Sequence, residues 1–145
     1  MKALSIMLPW GLLIVAGREK TIEVRNWSGI GAAGRLIGQR IAIHCGKKIA
    51  EDAPASVRGL AYQCNGAWQG LRGCIIGTAT LVDAFRFTER SFEELAPQHL
   101  NPLEWWEEGM IGLEFADPMV LAKPIPWRGQ LGFFEVGEVV ARRLG

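Results

Sequence analysis

Apolar positions frame the N-terminal third of the chain. Ala3 to Met7 reads as a strand, and Pro9 then opens a short helix through Ala16. Proline suits a first helical turn because its missing N–H would have had no partner there. Gly17 ends this segment, and from Ile22 to Trp27 apolar and polar residues alternate. In a strand that alternation puts Ile22 and Val24 on one face and Glu23, Arg25 and Trp27 on the other. One face is then core and the other a candidate site. Ser28 to Gly34, rich in Gly and Ala, reads as a flexible loop. Arg40 to Cys45 alternates again as a strand, closed by Gly46-Lys47-Lys48. Asp52 is placed to cap a helix over about Ala53 to Gln63, with Pro54 in its first turn and Asn65-Gly66 as its stop.

The second half begins, after a connector from Ala67 to Arg72, with the clearest strand of all, Gly73 to Phe85. It is rich in β-branched residues, and Gly77 within it predicts a bend or a close backbone approach. Ser91-Phe92-Glu93-Glu94 has the spacing of a capping box and predicts a short helix ending near Pro97. Asn101-Pro102 predicts another, holding Leu103, Trp105 and Trp106 and stopping at Gly109. Met110 to Phe115, Val120 to Ala122 and Leu131 to Val136 read as strands, with a Pro-rich turn from Lys123 to Gly129 and a last helical turn from Glu138 to Leu144. Short strands with intervening helices and Gly/Pro turns predict one α+β domain over residues 1–145, a small mixed β-barrel with short peripheral helices.

Composition narrows the class. A chain of 145 residues with 49% hydrophobic and 21% charged content can bury a core without staples and is not disordered. The net charge of +1 conceals an asymmetry: residues 1–80 carry a balance of +6 and residues 81–145 a balance of −5. A basic face built from the first half would attract a polyanion; the alternative is mutual neutralisation in the fold. The opening apolar run has a single lysine before it, is interrupted by Pro9 and is too short to span a bilayer, so it reads as mature structure rather than a signal peptide or membrane anchor. Cys45, Cys64 and Cys74 lack short paired spacing, which argues against a metal site and fits small buried hydrophobes in a reducing cytoplasm.

The densest chemistry lies between Gly17 and Trp27, where Lys20, Glu23, Arg25 and Trp27 fall within eight residues. Lys20, in the turn before the strand, can swing over the face that carries Glu23; a surface ion pair on an amphipathic strand is the bland alternative. His44 shares a strand face with Arg40, and Lys47 and Lys48 add cations at the strand end. Thr78 and Thr80 face the same way and line a pocket if they are more than strand formers. Trp105 and Trp106 read as packing anchors among Glu104, Glu107 and Glu108.

Together these blocks resemble the ASCH domains, named for activating signal cointegrator homology. The resemblance is carried by Leu4-Ser5-Ile6 with Pro9-Trp10, Lys20-x-x-Glu23-x-Arg25-x-Trp27, Gly38 to His44 with Lys47-Lys48, the Gly73 to Asp83 strand, and Pro124-Ile125-Pro126 to Gly132. It implies a PUA-like β-barrel with a cleft floored by Lys20, Glu23 and Arg25 and walled by Trp10 and Trp27. It also implies RNA binding or, in some small members, amidohydrolysis of N4-acetylcytidine or ribonuclease activity. The chain departs from the pattern in having two residues between Gly17 and Lys20 rather than one, and in carrying Glu23 where the amidohydrolases carry threonine.

The expectation is therefore recognition of single-stranded RNA or a modified nucleoside, without a cofactor. Trp10, Arg25, Trp27, His44, Lys47, Lys48 and Thr78 are the candidate contacts. In the alternative, a small hydrolase, Lys20 and Glu23 are the catalytic pair, with Lys20 as a base or as a stabiliser of an oxyanion.

Overall fold

Two long strands carry the architecture. In a computed structural model that describes residues 1–144, β4 (Cys74–Arg86) and β5 (Ile111–Pro126) pair antiparallel over most of their length. Around them β1 (Lys2–Ser5), β2 (Ile22–Arg25), β3 (Arg40–Cys45) and β6 (Phe133–Glu135) complete a mixed six-stranded sheet in the order β2-β5-β4-β3-β1-β6. Among the described residues β1 and β3 are the one parallel strand pair, in a register that sets Ser5 beside His44.

The sheet bends but does not close. Register shifts interrupt the β4–β5 and β3–β4 ladders, and such bulges kink a sheet and increase its twist. Among the described residues no ladder joins the edge strands β2 and β6, so the expected barrel is instead an open α+β sheet. Edges of four and three residues offer little backbone with which to close it. Gly77 confirms its expected role: a Cβ there would run into the Met119 carbonyl and the Val15 side chain.

Strand alternation divides the interior into two faces. Ile41, Ile43, Ala79 and Leu81 join the main core beneath α1 (Trp10–Val15), whose six residues are all buried, as expected for a helix apolar on every side. The helix α3 (Ala55–Cys64) adds Val57 and Ala61 to the same core. Ala42, on the opposite parity, packs with Ala3, Ile75, Phe134 and Val140, the last from a helix over Glu138–Leu144. A satellite cluster of Ile22, Phe87 and Phe92 closes the end of the sheet.

Local differences from the sequence expectations have physical causes. The Gly/Ala-rich loop contains one helical turn, α2 (Gly31–Gly34), which buries Ala33. Asp52 does not cap α3; Pro54 precedes its first residue without a side-chain cap. The helix Glu89–Glu94 starts from Thr88, whose side chain accepts from Ser91 N–H while the Ser91 hydroxyl accepts from Thr88 N–H, so Ser91 is the inner partner of the box. After the short helix Ala96–His99, the helix expected from Asn101 reduces to a 3-10 turn over Leu103–Trp105. The two strands expected around Asp117-Pro118 form one, because pairing with β4 carries the chain through.

Gly77→Ala should lower the unfolding free energy by about 1–3 kcal/mol through this backbone collision. Gly34→Ala, where an added methyl meets nothing within 4 Å, should change it by no more than about 0.5 kcal/mol. Urea unfolding of the two variants beside the wild type checks the pair.

Candidate functional site

The start of β2 and the entry of α1 enclose the first cavity. Strand parity turns Ile22 into the satellite cluster and leaves Glu23 and Arg25 facing α1, as the alternation predicts. Glu23 is buried and stands between two cations: its Oε1 is 3.6 Å from Lys20 Nζ and its Oε2 is 3.3 Å from Arg25 Nε. Arg25 Nη2 donates to the Ser5 carbonyl at 2.6 Å, while Nε makes no hydrogen bond, so its contact with Glu23 is a through-space ion pair. The guanidinium also lies 5.5 Å from the centre of the Trp27 ring.

Lys20 is the most enclosed member. It is 1% exposed and donates to the carbonyls of Ile22 at 2.8 Å and His99 at 2.7 Å, with Nζ 4.8 Å above the centre of the Trp10 ring. Burial pulls its pKa down to about 8; Glu23 opposes the fall and Arg25 adds to it. His99, also buried, stacks on Phe92, donates from Nε2 to the Phe92 carbonyl at 2.6 Å and accepts the Asn101 N–H on Nδ1 at 2.9 Å. Asn101 in turn donates from Nδ2 to the same His99 carbonyl that Lys20 uses. A continuous polar chain thus runs from Glu23 through Lys20 and His99 to Asn101.

Glu23, Arg25 and Asn101 line a cavity of about 290 Å³, walled by Trp10 and Trp105 and edged by Ser5, Met7, Asn26 and Asp52. The two indoles meet edge to face, 6.0 Å between centres. Lys20 sits behind the floor rather than in the lining. Beside this cavity, and sharing Ser5 with it, lies a groove of about 1010 Å³ lined by His44, Lys47, Trp127, Arg128, Gly129 and Leu131 among others. In this groove the Ser5 hydroxyl is 3.0 Å from His44 Nδ1, and His44 Nε2 is 2.7 Å from the Trp127 carbonyl. Burial lowers the His44 pKa, with the Trp127 carbonyl acting the other way.

The structure brings Trp10, Glu23 and Arg25 together at the cavity and His44 and Lys47 together at the groove. Trp27, though beside the Arg25 guanidinium, is not in the cavity lining and packs against Phe133 in a third, apolar recess of about 440 Å³. Lys48 lines none of these three spaces. Thr78 is buried and accepts from Arg40 Nε at 3.0 Å, with Thr80 accepting from Nη1, so the two threonines hold a guanidinium. Sequence reasoning missed Ser5, Asn26, Asp52, Asn101 and Trp105 as lining residues. Asn101-Pro102 was visible as a punctuation point, but no periodicity tells which wall a residue after it will face.

Of the cysteines, Cys45 is buried and its thiol pKa is pushed up by burial, whereas Cys64 is exposed and not the buried hydrophobe expected. Among the described residues no three His, Cys, Asp or Glu side chains converge as metal ligands, and no helix is long and apolar enough to cross a membrane.

Neither family models nor curated proteins match the sequence. Solved structures do match the fold. The ASCH structure from Zymomonas mobilis superposes with a TM-score of 0.64 over 99% of this chain and 92% of that one, at 13% identity. Two point variants of that protein each give 0.63, at 14% and 13% identity, covering 99% of this chain and 92% and 94% of theirs.

The buried lysine has a signature in alkali. Below about pH 8 Lys20 is protonated in both folded and unfolded chains; between about 8 and 10.5 the unfolded chain holds the proton that the folded one has released. Stability therefore rises with pH in that window, by on the order of 3 kcal/mol from this group. Lys20→Met should remove the rise, which urea unfolding of both proteins from pH 7 to 10.5 checks.

Proposed function

From the ASCH fold shared with these neighbours, we propose that the protein recognises single-stranded RNA, one nucleobase entering the Glu23 cavity while the adjoining backbone follows the groove. The observation that carries this reading is the placement of Glu23. A buried carboxylate, flanked by Lys20 and Arg25, faces a space of about 290 Å³ lined by Trp10 and Trp105. An ionised carboxylate accepts hydrogen bonds only, so it selects a base edge that presents N–H donors, and the indole walls offer aromatic surface for the base to pack against.

The groove completes the reading. Lys47 and Arg128 line it beside Trp127, and Ser5 joins it to the base cavity. Phosphate contacts from such cations give affinity and register, whereas the cavity gives discrimination. Entry of a base into a cavity favours unpaired bases, because a paired base must first leave its stack. In this reading Lys20 acts through Glu23: its ion pair fixes the carboxylate's direction, and it does not touch the ligand.

A modified nucleoside alone would occupy the same cavity without using the groove. The hydrolase alternative assigns Lys20 a direct chemical role, and the burial of its ammonium behind two carbonyl acceptors weighs against that assignment.

Fluorescence anisotropy with a labelled pyrimidine-rich single-stranded RNA tests the proposal at two salt concentrations. Glu23→Gln should weaken binding by about 10-fold or more, the loss of a charged hydrogen-bond acceptor. Lys47→Ala should weaken it and flatten its salt dependence. Salt-independent binding, or binding indifferent to Glu23→Gln, would overturn the reading. Steady turnover of N4-acetylcytidine that disappears in Lys20→Ala would favour the hydrolase instead.

A further inference from the structure

We propose that Ser5 and His44 form a nucleophile–base pair, oriented by the Trp127 carbonyl, that hydrolyses oxygen esters whose alcohol portion carries an anionic group. The tautomer follows from the partners. A backbone carbonyl can only accept, so His44 Nε2 carries the hydrogen and donates to Trp127 at 2.7 Å. Nδ1 is then the acceptor, and the Ser5 hydroxyl donates to it at 3.0 Å. This is the arrangement a serine nucleophile requires: a base within hydrogen-bond reach, held in the correct tautomer by a third group.

Three features of the fold place the pair. Parallel pairing of β1 and β3 puts Ser5 and His44 side by side, and a bulge between Ile43 and His44 interrupts the ladder to β4 at the base itself. Bulges commonly re-aim side chains beside functional sites. The turn after β5 then crosses directly over both residues: a Cβ on Gly129 would lie 2.7 Å from His44 Cε1 and 3.2 Å from Ser5 Oγ. Glycine is the residue that permits this approach. His44 is shielded to 1% exposure, with Phe134 edge-on to its ring, whereas Ser5 is half-buried and lines the groove.

The groove suggests the substrate class. Lys47 and Arg128 are available to an anionic alcohol portion, and Pro126, Trp127 and the fully exposed Leu131 offer apolar surface to an acyl group. In the first half-reaction Ser5 Oγ bonds to the acyl carbon as its proton passes to His44 Nδ1. The C–O bond to the alcohol then breaks, and Nδ1 returns that proton to the departing oxygen. In the second, water bonds to the acyl carbon, giving a proton to Nδ1 that passes back to Ser5 Oγ as the acyl–serine bond breaks and the carboxylic acid leaves. A carbonyl orienter stabilises the imidazolium less than a carboxylate would, which suits esters with good leaving groups rather than amides.

This inference is independent of RNA recognition, and its test uses no RNA. The purified protein is treated with a fluorophosphonate probe and the adduct located by peptide mass mapping, with hydrolysis of 4-acetoxybenzenesulfonate, an ester whose alcohol portion is anionic, followed in parallel. The expected result is a single adduct on Ser5, absent in Ser5→Ala, and formed about 100-fold more slowly in His44→Gln. Ester hydrolysis should fall in step. Far-UV circular dichroism and urea unfolding establish that each variant is folded; if His44→Gln is not, Gly129→Ala, which pushes against the pair from the turn, takes its place and should slow labelling likewise. No adduct on wild-type Ser5, or labelling unchanged in a folded His44→Gln or Gly129→Ala variant, would overturn the proposal.

Discussion

Burial of one lysine beside one carboxylate is the constraint on which the rest of the site depends. An ammonium withdrawn from water carries a desolvation cost of several kcal/mol, and Lys20 offsets it with two backbone carbonyls, the Glu23 carboxylate and the face of Trp10. These four partners come from three parts of the chain: Ile22 and Glu23 from β2, His99 from the end of the helix Ala96–His99, and Trp10 from the start of α1. Lys20 therefore ties three elements together at the floor of the cavity. Arg25 repeats the device on the other side, joining Glu23 to the Ser5 carbonyl at the end of β1.

Charge and shape at the site follow from that constraint. Glu23, pinned between two cations, keeps its direction without a direct hydrogen bond from Arg25 Nε, and the space in front of it is walled by two indoles, with Asp52 at its edge. The neighbouring groove inverts the balance, with Lys47 and Arg128 at its lining and the Ser5–His44 pair in its wall. The basic excess of the first half of the sequence is thus partly spent inside, on Lys20, Arg25 and Arg40, and only partly presented at the surface.

Much of this was legible in the chain. The alternation from Ile22 to Trp27 identified the face that carries Glu23 and Arg25, and the ASCH resemblance drawn from Lys20-x-x-Glu23-x-Arg25 agrees with the fold of the solved neighbours. What was not legible depends on long-range placement. Trp27 shares parity with Arg25, but β2 ends at Arg25 and the indole turns to Phe133. Trp105 read as core material because its value as a wall depends on meeting Trp10, 95 positions earlier. Barrel closure was inferred from element types, whereas it is decided by whether β2 and β6 meet, which no local pattern encodes. Ser5 and His44 are 39 positions apart and meet only through the β1–β3 register.

The measurement that bears most directly on the central claim is an NMR titration of the indole N–H resonances with a short single-stranded RNA. Six tryptophans are distributed through the chain, which makes the readout local. The account predicts saturable shifts at Trp10 and Trp105, and at Trp127 as the backbone enters the groove, while the buried Trp68 stays unmoved. Shifts confined to Trp27 or Trp68, or none at all under conditions where RNA is bound, would contradict it.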